Sequence, residues 1–154
     1  MKNTLYLSFI VALFASVALL SPAQPAYAQT QVAVIVNPNN PVTSLDAGKV
    51  RLFWLRRIKK RWPNNNKFIR PADYNFECPE QQEFYSKILK MNSDKVEKYF
   101  MTRQYQNAEK PQDKFGSAKE VIDFVSKNEG AIGFVAVKDI QDAKKVKVVF
   151  KMNQ

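Results

Sequence analysis

The sequence predicts an α/β domain whose mostly parallel sheet is flanked by helices. Two runs, QVAVIVN (31–37) and AIGFVAV (131–137), are apolar throughout, as strands covered on both faces are. Segments with helical spacing and capping residues lie between them. Strands separated by helices rather than by tight turns need crossover connections, and crossovers make parallel neighbours.

The chain begins with a segment outside that domain. Lys2 is followed by LYLSFIVALFASVALL and by SPAQPAYA, which ends in small residues at Ala26 and Ala28. This is the charged start, apolar run and cleavage site of a secretory signal peptide, with cleavage expected after Ala28. The run is about 16 residues, short of the roughly 20 that span a bilayer, so an uncleaved anchor is the weaker alternative. No membrane-spanning segment is expected after cleavage. Residues 29–154 then form one domain, periplasmic or secreted.

In order, QVAVIVN is a strand that NPNNP ends. A helix is expected from Leu45 to Arg56, with Ser44 as N-cap, Asp46 in the first turn, and Arg56 and Arg57 closing the last. Gly48 weakens it. RWPNNNK (61–67) is turn chemistry, and FIRPAD (68–73) is a short strand stopped by Pro71. Pro79 opens a second helix, in which Phe84, Ile88 and Met91 share a face with Tyr85 and Leu89 beside it. Ser93 is the expected cap of a third helix with Val96, Tyr99, Phe100 and Arg103 at helical spacing. NAEKPQDKF (107–115) is polar and reads as a loop. SAKE (117–120) is a capping box opening a fourth helix, which buries Val121, Ile122 and Val125 and ends near Asn128. Gly130 is placed as a left-handed C-terminal cap. AIGFVAV and the alternating VKVVFK (146–151) complete the strands.

Composition removes several chemistries. There is no His, and Cys78 is the single Cys. Zinc and copper sites of the usual kinds and hydrolysis by a His base therefore have no ligands or base, and no cofactor is expected. A buried free thiol is the plainer reading of Cys78, with pairing between chains as the alternative. Glu77 and Glu80 lack the pocket or second motif that acid–base catalysis needs, so no enzyme is expected. The formal net charge is +10, yet six Arg and Lys residues and no acid sit in RLFWLRRIKKRW (51–62). The basic character is local.

The segments VAVIVNPNNPVTSL, a helix ending in Phe53-Trp54, RWP, EFYSKIL and EVIDFVSKNEGAIGFV resemble, in order and spacing, the second lobe of phosphate-binding proteins of phosphate ABC transporters. The likeness is greatest to short, single-lobe relatives. It implies a single three-layer lobe of a type 2 periplasmic binding protein, and binding of phosphate or another small anion. In two-lobed relatives the anion sits between the lobes, held by hydroxyls, helix-end amides, an Arg and an Asp. Two departures accompany the resemblance. Only one lobe is present. Where the family has a Gly-Thr turn before a helix, this chain has NFECPEQQEF, whose Glu77 and Glu80 would repel phosphate.

Arg70 and Asp73 fall where the resemblance places the start of the anion loop, and Tyr74 and Asn75 follow them. They are candidate ligand residues, and a surface loop with an exposed ion pair is the plainer alternative. Ser44 is a further candidate, with simple capping as its alternative. Arg56, Arg57, Lys59, Lys60 and Arg61 are candidates for docking a periplasmic or inner-membrane protein, against a solvated basic edge. A continuing helix would carry Arg56 and Arg57 into the apolar arc of Val50, Leu52 and Phe53, so the helix should stop near Arg56 and IKKRW run on as a loop. Phe53 is then the best candidate for burial. Export argues against nucleic acid as the partner.

Overall fold

The structure, a computed structural model, describes residues 30–57 and 59–152. The expected signal segment, Met1–Ala28, lies outside the described residues. Five strands form one sheet: β1 (Val32–Val36), β2 (Arg70–Tyr74), β3 (Asp113–Phe115), β4 (Ala131–Ala136) and β5 (Lys147–Lys151), in the order β3-β2-β4-β1-β5. β2 is parallel to β3 and β4, whereas β1 is antiparallel to β4 and β5. Only β1 therefore runs against the rest, and the sheet is mostly parallel as expected.

The helices are α1 (Ala47–Trp54), α2 (Pro79–Glu83), α3 (Ser93–Asn107) and α4 (Ala118–Lys127). They cover both faces, and β4 shows how. A Cβ at Gly133 would lie 2.9 Å from Val121 Cγ1 and 3.1 Å from Val125 Cγ2, so the missing side chain lets α4 pack close on that face. The next residue points to the other face. Phe134 stacks on Phe84 at 4.2 Å between ring centroids and meets Trp54 at 5.3 Å. Alternation along one strand thus builds two cores, one small-residue and one aromatic. β1 and β4 are buried along their whole lengths, which is why both read as continuous apolar runs.

The asparagines after β1 tie the layers together. Asn37 Nδ2 donates to the carbonyls of Val125 (3.0 Å) and Ser126 (2.8 Å), and Asn40 Nδ2 to that of Glu129. These carbonyls lie in the last turn of α4 or just past it, where the regular ladder of helical amides runs out. The NPNNP stretch is therefore an anchor as well as a strand terminator. Trp62 Nε1 donates to the Gly130 carbonyl at 3.0 Å and fixes the turn before β2.

Several sequence expectations need correction. Asp46, not Ser44, caps α1 by accepting from the Lys49 amide, and Asn92, not Ser93, caps α3 by accepting from Lys95. The actual caps stand close by: Asp46 lies two residues after Ser44, and Asn92 lies immediately before Ser93. α1 ends at Trp54 rather than Arg56, and Trp54 is fully buried while Phe53 is only half-buried. The second helix widens into a π-helical turn over Phe84–Leu89, which puts Phe84, Tyr85, Ile88 and Leu89 inside together. Pro71 lies within β2. The Arg70 amide bonds toward β4, so the proline nitrogen faces the other way, where β3 begins only opposite Ala72. NAEKPQDKF contains β3. Gly130 is not left-handed; a Cβ there would strike the Phe68 carbonyl oxygen at 2.0 Å.

Candidate functional site

Parallel α/β sheets receive ligands beyond the carboxyl ends of their strands. Here that edge is made by Tyr74 and Asn75 after β2 and by Phe115, Gly116 and Ser117 after β3. The Asn75 amide donates to the Phe115 carbonyl at 2.9 Å and locks the two strand ends together. The Glu120 amide donates to Ser117 Oγ at 3.2 Å, as the capping box predicts. The reciprocal half differs. Glu120 Oε2 accepts from the amide of Gly116, at 2.9 Å, not from that of Ser117. Seen from the Cβ position of Gly116, Glu120 Oε2 is 3.6 Å away and Asn75 Nδ2 3.9 Å. A backbone amide and the Asn75 side-chain amide therefore lie close to a carboxylate, and the Ser117 hydroxyl caps the helix that carries it.

Beneath this edge Asp73 is fully buried. Its carboxylate accepts from the Tyr85 hydroxyl, from Gln81 Nε2 at 3.0 Å and from the Tyr74 amide at 2.7 Å. Burial raises its pKa, and these hydrogen bonds offset only part of that effect. Burial also pushes the Tyr74 and Tyr85 phenols up and the Cys78 thiol up to about 11. The Cys78 side chain is buried at the start of α2.

The structure separates the sequence-derived ligand residues. Asn75 is exposed at the strand-end edge, and Tyr74 is buried beneath it with its ring 5.5 Å from that of Phe76. Asp73 belongs to the buried network. Arg70 is at the opposite end of β2, where it contacts Asp113 through Nε (3.2 Å) and Nη2 (3.0 Å) and Asn128 through Nη1. Arg70 and Asp73 are not an ion pair. Ser44 is exposed ahead of α1, next to Leu45, whose amide bonds Val149 of β5. Sequence reasoning missed Gly116 as a donor and read Glu120 only as a cap. Gly-Ser between a strand and a helix is an anion-receiving arrangement, but the strand before it, Asp113–Phe115, reads as a loop in the sequence.

The basic stretch is largely absorbed by the fold. Arg56 is buried and donates through Nη2 to the Lys110 carbonyl at 2.6 Å. Lys60 contacts Glu109 at 3.1 Å, and Glu109 also takes two 2.8 Å bonds from Arg103. Arg61 lies over the Phe68 ring at 3.4 Å and donates to the Asn66 carbonyl. Arg57 and Lys59 are exposed and make no ion pair among the described residues.

Among the described residues, no group of three or more His, Cys, Asp or Glu is placed to hold a metal ion, and no helix is long and apolar enough to cross a membrane.

No family model matches the sequence, and no curated protein matches it. Solved structures do match. An ABC-type phosphate transport receptor from Vibrio cholerae aligns with a TM-score of 0.59 at 19% identity, over 79% of this chain and 47% of its own. A structure described as a phosphate ABC transporter substrate-binding protein with bound phosphate, from Clostridium perfringens, aligns with a TM-score of 0.59 at 16% identity, over 77% of this chain and 43% of its own. PstS from Borrelia burgdorferi gives 0.57 at 14% identity, over 78% and 47%. The chain spans less than half the length of each. It thus resembles, in fold, part of the substrate-binding proteins of phosphate ABC transporters.

Proposed function

We propose that this chain is an exported, non-enzymatic binding module of the solute-binding type, and that it receives phosphate or another small anion at the strand-end edge. The observation that carries the reading is the Gly116 amide, which already donates to an anion, the Glu120 carboxylate, beside the Ser117 hydroxyl and the Asn75 side chain. An incoming phosphate would take the place of Glu120, with those three groups donating to its oxygens. The fold is similar to that of proteins described as phosphate receptors, and the general rule that such sheets take ligands beyond the carboxyl ends of their strands favours this edge. Glu120 competes for the position, so binding by this chain alone is expected to be weak.

Calorimetry with inorganic phosphate tests the reading. The wild-type chain should give saturable heat in the millimolar range. Glu120→Gln should bind more tightly because the competing charge is gone, and Asn75→Ala more weakly. Absence of heat from both the wild type and Glu120→Gln would reject an anion site at this edge.

A second reading, docking of a periplasmic or inner-membrane protein through the basic stretch, is favoured by one observation. Arg57 and Lys59 are exposed beside a stretch whose other charges are used internally. An acidic surface on the partner would complement them.

A further inference from the structure

At the other end of the sheet, where β2 and β3 begin, lies a cleft of about 420 Å³ with Arg56 and Lys60 on one side and the loop after α3 on the other. The volume falls in the range that holds small organic ligands, about 300–1,000 Å³. Phe68, Ile69 and Pro111 give it mostly apolar walls.

Its charges do not balance. Glu109 is matched by Arg103 and Lys60, and Asp113 by Arg70 and Lys110. Arg56 also lines the cleft, is only 8% exposed, and has no carboxylate within ion-pair distance among the described residues. Its Nη2 is bonded to the Lys110 carbonyl, and its Nε has no partner. Glu109 and Asp113 act on Arg56 only at longer range; a buried guanidinium with no carboxylate in contact is costly, and an anion in the cleft would relieve it. Arg56 also has φ 50°, at the helix end where Gly is usual, with the Arg57 amide bonded back to the Leu52 carbonyl. An Arg side chain is thus held at a strained position and buried at the edge of an apolar cleft.

We propose that this cleft is a binding site for a small organic carboxylate with an apolar body. The carboxylate meets Arg56, with Lys60 and Lys110 at the rim, and the body lies on Phe68, Ile69 and Pro111. The site is separate from the strand-end edge and takes a different class of ligand, because apolar walls suit a hydrocarbon body and not free phosphate.

Benzoate is the probe, followed through backbone amide shifts of the whole folded domain. Benzoate should shift the amides of 56, 60, 68–70 and 108–110 saturably, and benzyl alcohol, of similar shape without charge, should not. Arg56→Gly is the informative variant, because Gly suits the left-handed backbone and the fold should persist. It should lose benzoate affinity by roughly tenfold or more, the size of a lost charge-assisted contact. Lys110→Gln, at an exposed rim position, should lose less. No saturable shift in the wild type, equal shifts with benzyl alcohol, or undiminished binding by Arg56→Gly would each overturn the assignment. Phosphate shifts confined to 75, 116 and 117 would leave it standing, since they report the other edge.

Discussion

At the scale of single residues, Asp73 separates a structural role from a binding one. Its carboxylate is buried without a cation and relies on Tyr85, Gln81 and the Tyr74 amide. Burial holds its folded pKa above the unfolded value of about 3.9. The folded state therefore binds more protons than the unfolded state between those two values. Stability from this group is greatest at low pH and falls as pH rises through the window. Asp73→Asn keeps an acceptor for Gln81 or Tyr74 and removes the charge. The variant should gain thermal stability relative to wild type as pH is raised from about 4 to 7. Parallel melting profiles for the two proteins would show that folding leaves the Asp73 pKa unshifted. Arg70 makes the complementary point. Each of its three guanidinium nitrogens donates to Asp113 or Asn128, so it serves the joint between β2 and β3.

At the scale of elements, Asn37 holds α4 to β1. It gives two bonds to the carbonyls of Val125 and Ser126 and accepts one from the Asn39 amide. Asn37→Ala should cost about 2 kcal/mol, as loss of more than one buried hydrogen bond implies. Hydrogen exchange should accelerate first in the last turn of α4 and in the 37–40 turn. Uniform acceleration across the sheet would place the bond in global stability instead. The elements also show what the sequence made legible. β1, β4 and α4 were readable because continuous apolar runs and a 3.6-residue period are strong local signals. β3 was not, because Asp113–Phe115 has three residues, two of them charged, and is a strand only by pairing with β2. The π-helical turn was missed for a related reason: the pattern of Phe84, Tyr85, Ile88 and Leu89 fits an α-helix as well as a wider turn, and packing on Trp54 and Phe134 decides between them. In the strand-end site Asn75 was legible from its place after β2. Gly116 and Glu120 were not, because the strand that positions them was itself hidden.

At the scale of the whole molecule, the clustered charge of 51–62 divides into a part the fold uses and a part it leaves in water. Lys60 and Arg103 converge on Glu109, whose side chain is only 6% exposed. Desolvation raises the Glu109 pKa, but the bonds from Arg103 and Lys60 outweigh it and hold the carboxyl below its usual range. Its stabilising effect is therefore complete above the unfolded value of about 4.3 and is lost as pH falls through the folded one. Asp73 and Glu109 thus tilt the acid limb of the stability curve in opposite directions. Glu109→Gln leaves two cations without their shared carboxylate and should cost about 3 kcal/mol at neutral pH, with the difference from wild type shrinking in acid. Arg57 and Lys59 should behave otherwise. Arg57 lies over the Tyr99 ring at 5.7 Å, a contact worth about 0.5–1 kcal/mol at an exposed site, and Lys59 makes no ion pair among the described residues. The double reversal Arg57→Glu with Lys59→Glu should change stability by about 1 kcal/mol or less while inverting the local surface charge. If this stretch docks an acidic partner, the reversal should abolish capture of that partner and Glu109→Gln should spare it in whatever fraction remains folded. Capture that survives the reversal would leave the basic stretch with its role in the fold alone.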